Sequence, residues 1–157
     1  MQKVARGESL SNIDFRFARF KNGTWRTITT FDGLPDNRVT TIYQDASGLM
    51  WFGTFGGGLC RFDGHQFQTF TTENGLAGNK VSTIHGDSDG TMWIATHSGV
   101  SRYNGDSFEN FTTQDGLAHN TVTAIHRHSD GTLWIGTVSI KDRVGGWFRH
   151  ETCQAAI

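Results

Sequence analysis

Trp51, Trp93 and Trp134 stand 42 and then 41 residues apart, and a chain that repeats at a fixed period is confined to architectures that repeat. The tryptophans carry their surroundings with them. Asp32-Gly33-Leu34, Asn74-Gly75-Leu76 and Asp115-Gly116-Leu117 recur at the same intervals, as do Asn37 with Val39, Asn79 with Val81 and Asn120 with Val122. Each unit then runs through an isoleucine (Ile42, Ile84, Ile125), a glycine (Gly48, Gly90, Gly131), the tryptophan and a threonine (Thr54, Thr96, Thr137).

A period of about 40 to 45 residues rich in glycine and aromatics points to propeller blades rather than helical solenoids. With 20 Gly and a single Pro among many β-branched and aromatic residues, the chain favours short strands and tight turns. The pattern predicts first strands over 39–43, 81–85 and 122–126, and second strands over 49–54, 92–96 and 133–137. Third strands follow over 59–62 and 100–103, each ending in an Arg-aromatic pair, Arg61-Phe62 and Arg102-Tyr103, echoed by Arg19-Phe20. Fourth strands fall over 67–71 and 108–112, with 25–29 as an earlier match. Asp63-Gly64, Asn104-Gly105 and, one residue out of register, Asn22-Gly23 supply hairpin turns of the two-residue kind. Apolar residues occupy both faces of the second strand, so it must be covered on both sides, as a blade between two blades is. Trp51, Trp93, Trp134, Gly48, Gly90, Gly131, Arg61 and Arg102 are therefore assigned to the blade framework.

The run from Asn37 through Trp51 to Gly64, repeated from Asn79 to Gly105 and from Asn120 to Thr137, resembles the two-component regulator propeller repeat. The resemblance covers about residues 15 to 150. It implies an all-β fold and an extracytoplasmic, periplasmic sensor module of a histidine kinase, hybrid kinase or diguanylate cyclase, which binds a small molecule, a glycan or a protein partner. The chain shows no kinase nucleotide motif, receiver domain, signal peptide or apolar run of membrane-spanning length, so kinase or cyclase output would lie elsewhere.

The units divide the chain into an N-terminal tail (1–14), a partial blade (15–31), blades at 32–72 and 73–113, a truncated blade (114–150) with an insertion at 138–144, and a C-terminal tail (151–157). Gly145 to His150 reads as the third strand of the last blade. About three blades fall below the four to eight of a closed ring. A fragment of a larger propeller is the favoured reading. Self-association into a scaffold and an unusual closure, with the 25–29 strand meeting Trp147–His150, are the alternatives. A fragment of a propeller lyase or hydrolase is a further one.

Formal charge of −1 gives no electrostatic argument for nucleic acid or an anionic membrane, and the six Lys/Arg among residues 1–28 read as a solvated face or tail. Cys60 and Cys153 could form a disulfide, yet Cys60 aligns with Ser101, so the repeat needs no cysteine there. Their spacing shows no metal or dithiol signature. His126 and His128 alternate as two metal ligands would, but no further ligand has recognisable spacing. Asp87 to Gly90 and Ser129 to Gly131 read as turns before calcium loops. No cofactor, metal or catalytic residue is assigned. Loops joining second to third strands and fourth to next first strands should cluster at one end, making Phe55, His97, Asn37, Asn79 and Asn120 the candidate ligand contacts. The asparagines have a second reading, as caps that bond nearby backbone.

Overall fold

The computed structural model describes residues 17–140 and 150–156, the second stretch as backbone. Every strand pairing in it is antiparallel. β1 (Phe17–Lys21) and β2 (Thr24–Ile28) form a hairpin. One four-stranded blade holds β3 (Val39–Gln44), β4 (Met50–Thr54), β5 (Leu59–Phe62) and β6 (Phe67–Phe70), in that order. The next holds β7 (Val81–Gly86), β8 (Met92–Thr96), β9 (Gly99–Tyr103) and β10 (Phe108–Phe111). A three-stranded sheet of β11 (Val122–Arg127), β12 (Leu133–Ile140) and β13 (His150–Ala156) ends the series. These are propeller blades, and among the described residues they do not close a ring. Among the described residues no helix is long and apolar enough to cross a membrane.

The recurring Asp/Asn-Gly-Leu has a local cause. Thr29, Thr71 and Thr112 each cap a short 3-10 turn, the backbone N–H of each threonine donates to the side chain of Asp32, Asn74 or Asp115, and a left-handed glycine ends the turn. The leucine that follows, Leu34, Leu76 or Leu117, is then carried into the core at 3% exposure or less. Gly48, Gly90 and Gly131 all sit at φ near +90°, in the hairpin between the first two strands of each blade, where a side chain would be strained.

Alternation along the second strand divides two interfaces. Trp51 joins Leu59, Ile84, Met92, Ile94 and Tyr103 between the first and second blades. Trp93 joins Ala95, Val122, Leu133 and Ile135 between the second and third. The tryptophan thus faces the next blade and the isoleucine the preceding one. On its own blade each tryptophan pairs across the strands with an arginine, Trp51 with Arg61 and Trp93 with Arg102, whose guanidinium lies over the indole at 5.6 and 6.0 Å. Each indole Nε1 also donates to a carboxylate, Asp45 at 2.7 Å and Asp87 at 3.0 Å.

Four expectations need revision. Trp134 is not a buried core residue: it is 42% exposed, and among the described residues no further blade stacks on its face. Asp63-Gly64 and Asn104-Gly105 are not two-residue turns. Four residues join β5 to β6, the glycine alone takes positive φ, and Asp63 Oδ1 accepts the N–H groups of His65 and Gln66. Asn22-Gly23, with both residues at positive φ, is the true two-residue turn, which explains its offset register.

The C-terminal tail is the third correction, since most of 151–157 belongs to β13, drawn onto the open hydrogen-bonding edge of β12. The insertion is the fourth in part, as residues 138–140 extend β12. The tail at 1–14, the rest of the insertion and the strand expected through Trp147 and Arg149 lie outside the described residues. Among the described residues β2 pairs only with β1, so the proposed closure through 25–29 is not seen. Cys60 is a buried free thiol, and burial pushes its pKa up to about 11.

Candidate functional site

At the end of the stack formed by the second-to-third strand loops, one backbone bond recurs in all three blades. Phe55 N–H donates to Arg38 C=O, His97 to Lys80 and Val138 to Thr121, at 3.0, 3.0 and 2.9 Å. In the first two repeats this fixes the residue after the second strand beside the residue before the first, and in the third it holds Val138, within the longer β12, beside Thr121. In the first two blades those four positions carry an aromatic, an imidazole and two cations. Phe55 and His97 meet edge to face at 5.7 Å, Arg38 lies 5.1 Å from the Phe55 ring centroid and Lys80 Nζ 5.3 Å from it.

Phe55 stays 37% exposed in this setting, so the loops present the ring instead of burying it. Arg38 is oriented by a two-pronged pair with Asp36, through Nε at 3.1 Å and Nη2 at 2.8 Å. That guanidinium, bonding Asp36, holds the Asp36 carboxyl below its ordinary range. Partial burial, then the charge of Lys80, lowers the His97 pKa, so the imidazole is neutral at pH 7. An aromatic edge, a neutral imidazole and two cations suit recognition by stacking and charge.

Phe55 and His97, chosen from the sequence, therefore do come together. Asn37, Asn79 and Asn120 lie at the same end, and each Oδ1 accepts the backbone N–H of Thr30, Thr72 or Thr113 at 2.9, 2.9 and 2.8 Å. This capping role accounts for their recurrence. Arg38 and Lys80 were missed by sequence reasoning, although their shared repeat position, which holds Thr121 in the third unit, was a readable signal.

The opposite end is polar and different in kind. Asp87, its side chain 7% exposed, accepts from Trp93 Nε1 and forms a close pair with Arg127 of the next blade, while His85 Nε2 lies 3.6 Å from its carboxylate. A cleft of about 260 Å³ opens there, lined in part by Asp89, Thr91, Arg102 and Gly131. Between the first two blades Gly86 holds the position of Arg127, and Tyr43 fills the space against it, its hydroxyl where a Cβ would stand. The acidic turns are engaged locally: Asp89 and Asp130 each accept the N–H of the threonine two residues on. His128 Nδ1 accepts the N–H of Asp130 at 3.3 Å. Among the described residues no group of three or more His, Cys, Asp or Glu side chains is placed to hold a metal ion.

The two component regulator propeller family matches three times, at residues 33–56, 75–98 and 116–139, and each match spans the loop before a blade with its first and second strands. The chain carries three two-component regulator propeller repeats. Solved structures agree with this assignment. The extracellular domain of a Bacteroides protein, described as a hybrid two-component system of B. thetaiotaomicron, is 30% identical over 71% of this chain and 16% of its own, with a TM-score of 0.64. Another such domain from the same organism is 20% identical, covering 78% of this chain and 18% of its own, with a TM-score of 0.57. A catalytically inactive virginiamycin B lyase from Staphylococcus aureus, solved with quinupristin, is 18% identical over 88% of this chain and 49% of its own, at a TM-score of 0.60, and shows the fold alone. The chain thus spans about a sixth of the length of the two-component relatives and about half of the lyase. No curated protein matches the chain significantly.

Proposed function

We propose that the chain is a non-enzymatic binding module of a propeller that senses an extracytoplasmic ligand or partner for a two-component-type signalling protein. The observation that carries this reading is the 30% identity with the extracellular domain of a hybrid two-component system. The end bearing Phe55, His97, Arg38 and Lys80 is the contact surface, because blades hold their loops rigidly while loop residues are free to specialise. Ligand classes compatible with that surface are small molecules, glycans and protein loops that offer an anionic or hydroxyl-bearing group.

Screening the purified chain against arrays of glycans, organic anions and peptides tests the reading. A genuine ligand loses at least roughly tenfold in affinity when Phe55→Ala and Lys80→Ala are combined, while the melting temperature stays unchanged. A ligand that binds with affinity indifferent to both substitutions contradicts this surface. Genomic sequence beside the reading frame tests the signalling half: a transmembrane segment with a kinase domain supports it, and an adjoining polysaccharide lyase catalytic region opposes it.

A further inference from the structure

Asparagine is followed by glycine three times, at Asn22-Gly23, Asn74-Gly75 and Asn104-Gly105. Such a pair is chemically unstable. The glycine amide nitrogen can attack the asparagine carboxamide carbon Cγ, because glycine has no Cβ to block the approach and few limits on its φ. The N–Cγ bond forms, the Cγ–Nδ2 bond breaks, and the glycine proton departs with Nδ2 as ammonia, leaving a five-membered succinimide. Water then opens either ring carbonyl, giving aspartate or isoaspartate, and in the latter the main chain runs through the side-chain carbon. Asn37, Asn79, Asn110 and Asn120 precede Arg, Lys, Phe and Thr, whose side chains crowd the attacking nitrogen.

The fold treats the three pairs differently. At Asn74 both reacting groups are held: Oδ1 accepts the Thr71 N–H at 2.9 Å and the Thr71 hydroxyl at 3.4 Å, and Gly75 N–H donates to Thr72 C=O at 3.1 Å. Asp32 and Asp115 take the same place in the other capped turns, so the cap tolerates aspartate; what it withholds is the approach of the two groups. At Asn104 the carboxamide is turned onward, its Oδ1 accepting the N–H groups of Asp106 at 3.0 Å and Ser107 at 2.9 Å. Attack on either Cγ must first break these bonds.

Asn22 lacks this restraint. Among the described residues no hydrogen bond holds its carboxamide or the Gly23 N–H. Asn22 alone among the described non-glycine residues sits at positive φ, +50°, with Gly23 following at +77°, a backbone conformation that costs an L residue energy. A Cβ at Gly23 would meet no atom within 4 Å, so the tip has room to rearrange.

We propose that Asn22 is a site of spontaneous deamidation, a slow modification of the β1–β2 turn that needs water alone, while the turns around Asn74 and Asn104 protect their own pairs. Isoaspartate at position 22 puts an extra main-chain carbon into a two-residue turn and a negative charge beside Lys21. The tip then no longer has the left-handed geometry that closes the ladder at Lys21 and Thr24. This chemistry goes beyond the binding reading and depends on no ligand.

Ageing of the full chain at neutral pH over weeks is the test, with the amide-to-acid exchange at each pair followed by mass spectrometry. Trypsin separates the pairs, since Arg61 stands between the first two and Lys80 between the last two. A parallel incubation in guanidinium chloride gives each pair its rate without structure, and all three should react alike there because glycine follows each asparagine. In the folded chain, verified by circular dichroism, Asn22 should keep close to its unfolded rate. Asn74 and Asn104 should fall at least roughly tenfold below theirs, because two hydrogen bonds hold each carboxamide. Asn22→Gly, which suits the left-handed turn, should remove most of the acidic species that ion exchange resolves from the aged chain. A folded chain in which Asn22 is slowed as much as Asn74, or in which Asn74 or Asn104 reacts first, overturns the proposal. So does an aged Asn22→Gly chain whose acidic species are undiminished.

Discussion

Trp93 and Trp134 occupy the same place in successive repeats, yet the first is 8% exposed and the second 42%. Trp93 has a carboxylate on its Nε1, an arginine over its ring and a third blade against its face. At the position of Asp87 the third unit carries His128, and opposite the tryptophan stands Ala156. The motif makes a blade, but the neighbour makes a core. A repeat residue is stabilising only when the surface it was shaped for is present.

The largest test of that contrast is truncation of each ring in the monomer. Trp51→Ala, 1% exposed, should cost about 3 to 5 kcal/mol in urea denaturation, whereas Trp134→Ala should cost under about 1 kcal/mol. Equal losses would break the comparison. Next comes the carboxylate beneath the indole: Asp87→Ala strands Trp93 Nε1 and frees Arg127, and about 2 to 3 kcal/mol is expected from unpaired groups at this nearly buried site. The ion pair itself contributes only part of this, because Arg127 is 37% exposed. Gly86→Ala should cost about 1 to 3 kcal/mol, since its methyl would displace the Tyr43 ring.

The smallest effect concerns His97. Its folded pKa is lowered from 6.5 by burial and by Lys80, so the unfolded chain takes up that proton more readily, and its contribution to stability falls as pH drops through about 6.5. His97→Gln should reduce the loss of urea resistance between pH 7.5 and 5.5. An identical pH dependence in the variant would remove His97 from this account.

Much of the fold was legible because the residues that recur are those whose roles are local. Asp32-Gly33-Leu34 encodes a capped turn, Gly48 a hairpin, and Trp51 with Arg61 a cross-strand pair, so strand positions could be read to within a residue or so at most ends. Phe55 and His97 were recoverable as one cluster because both follow a second strand. What could not be read depends on contacts between units. The exposure of Trp134 follows from an unoccupied face, the Asp87 to Arg127 pair from a glycine replaced by arginine across an interface, and β13 from an open strand edge outside the repeat. The partners of Asn37, Asn79 and Asn120 were foreseeable as backbone caps, since short polar side chains before a strand commonly bond locally.

The central claim, that neighbouring blades decide which tryptophans are core, is tested most directly by fluorine NMR on the chain labelled with fluorotryptophan, in the presence of a soluble paramagnetic agent. Trp51 and Trp93 should be shielded while Trp134 is broadened. A Trp134 resonance shielded equally with Trp51 would contradict the account.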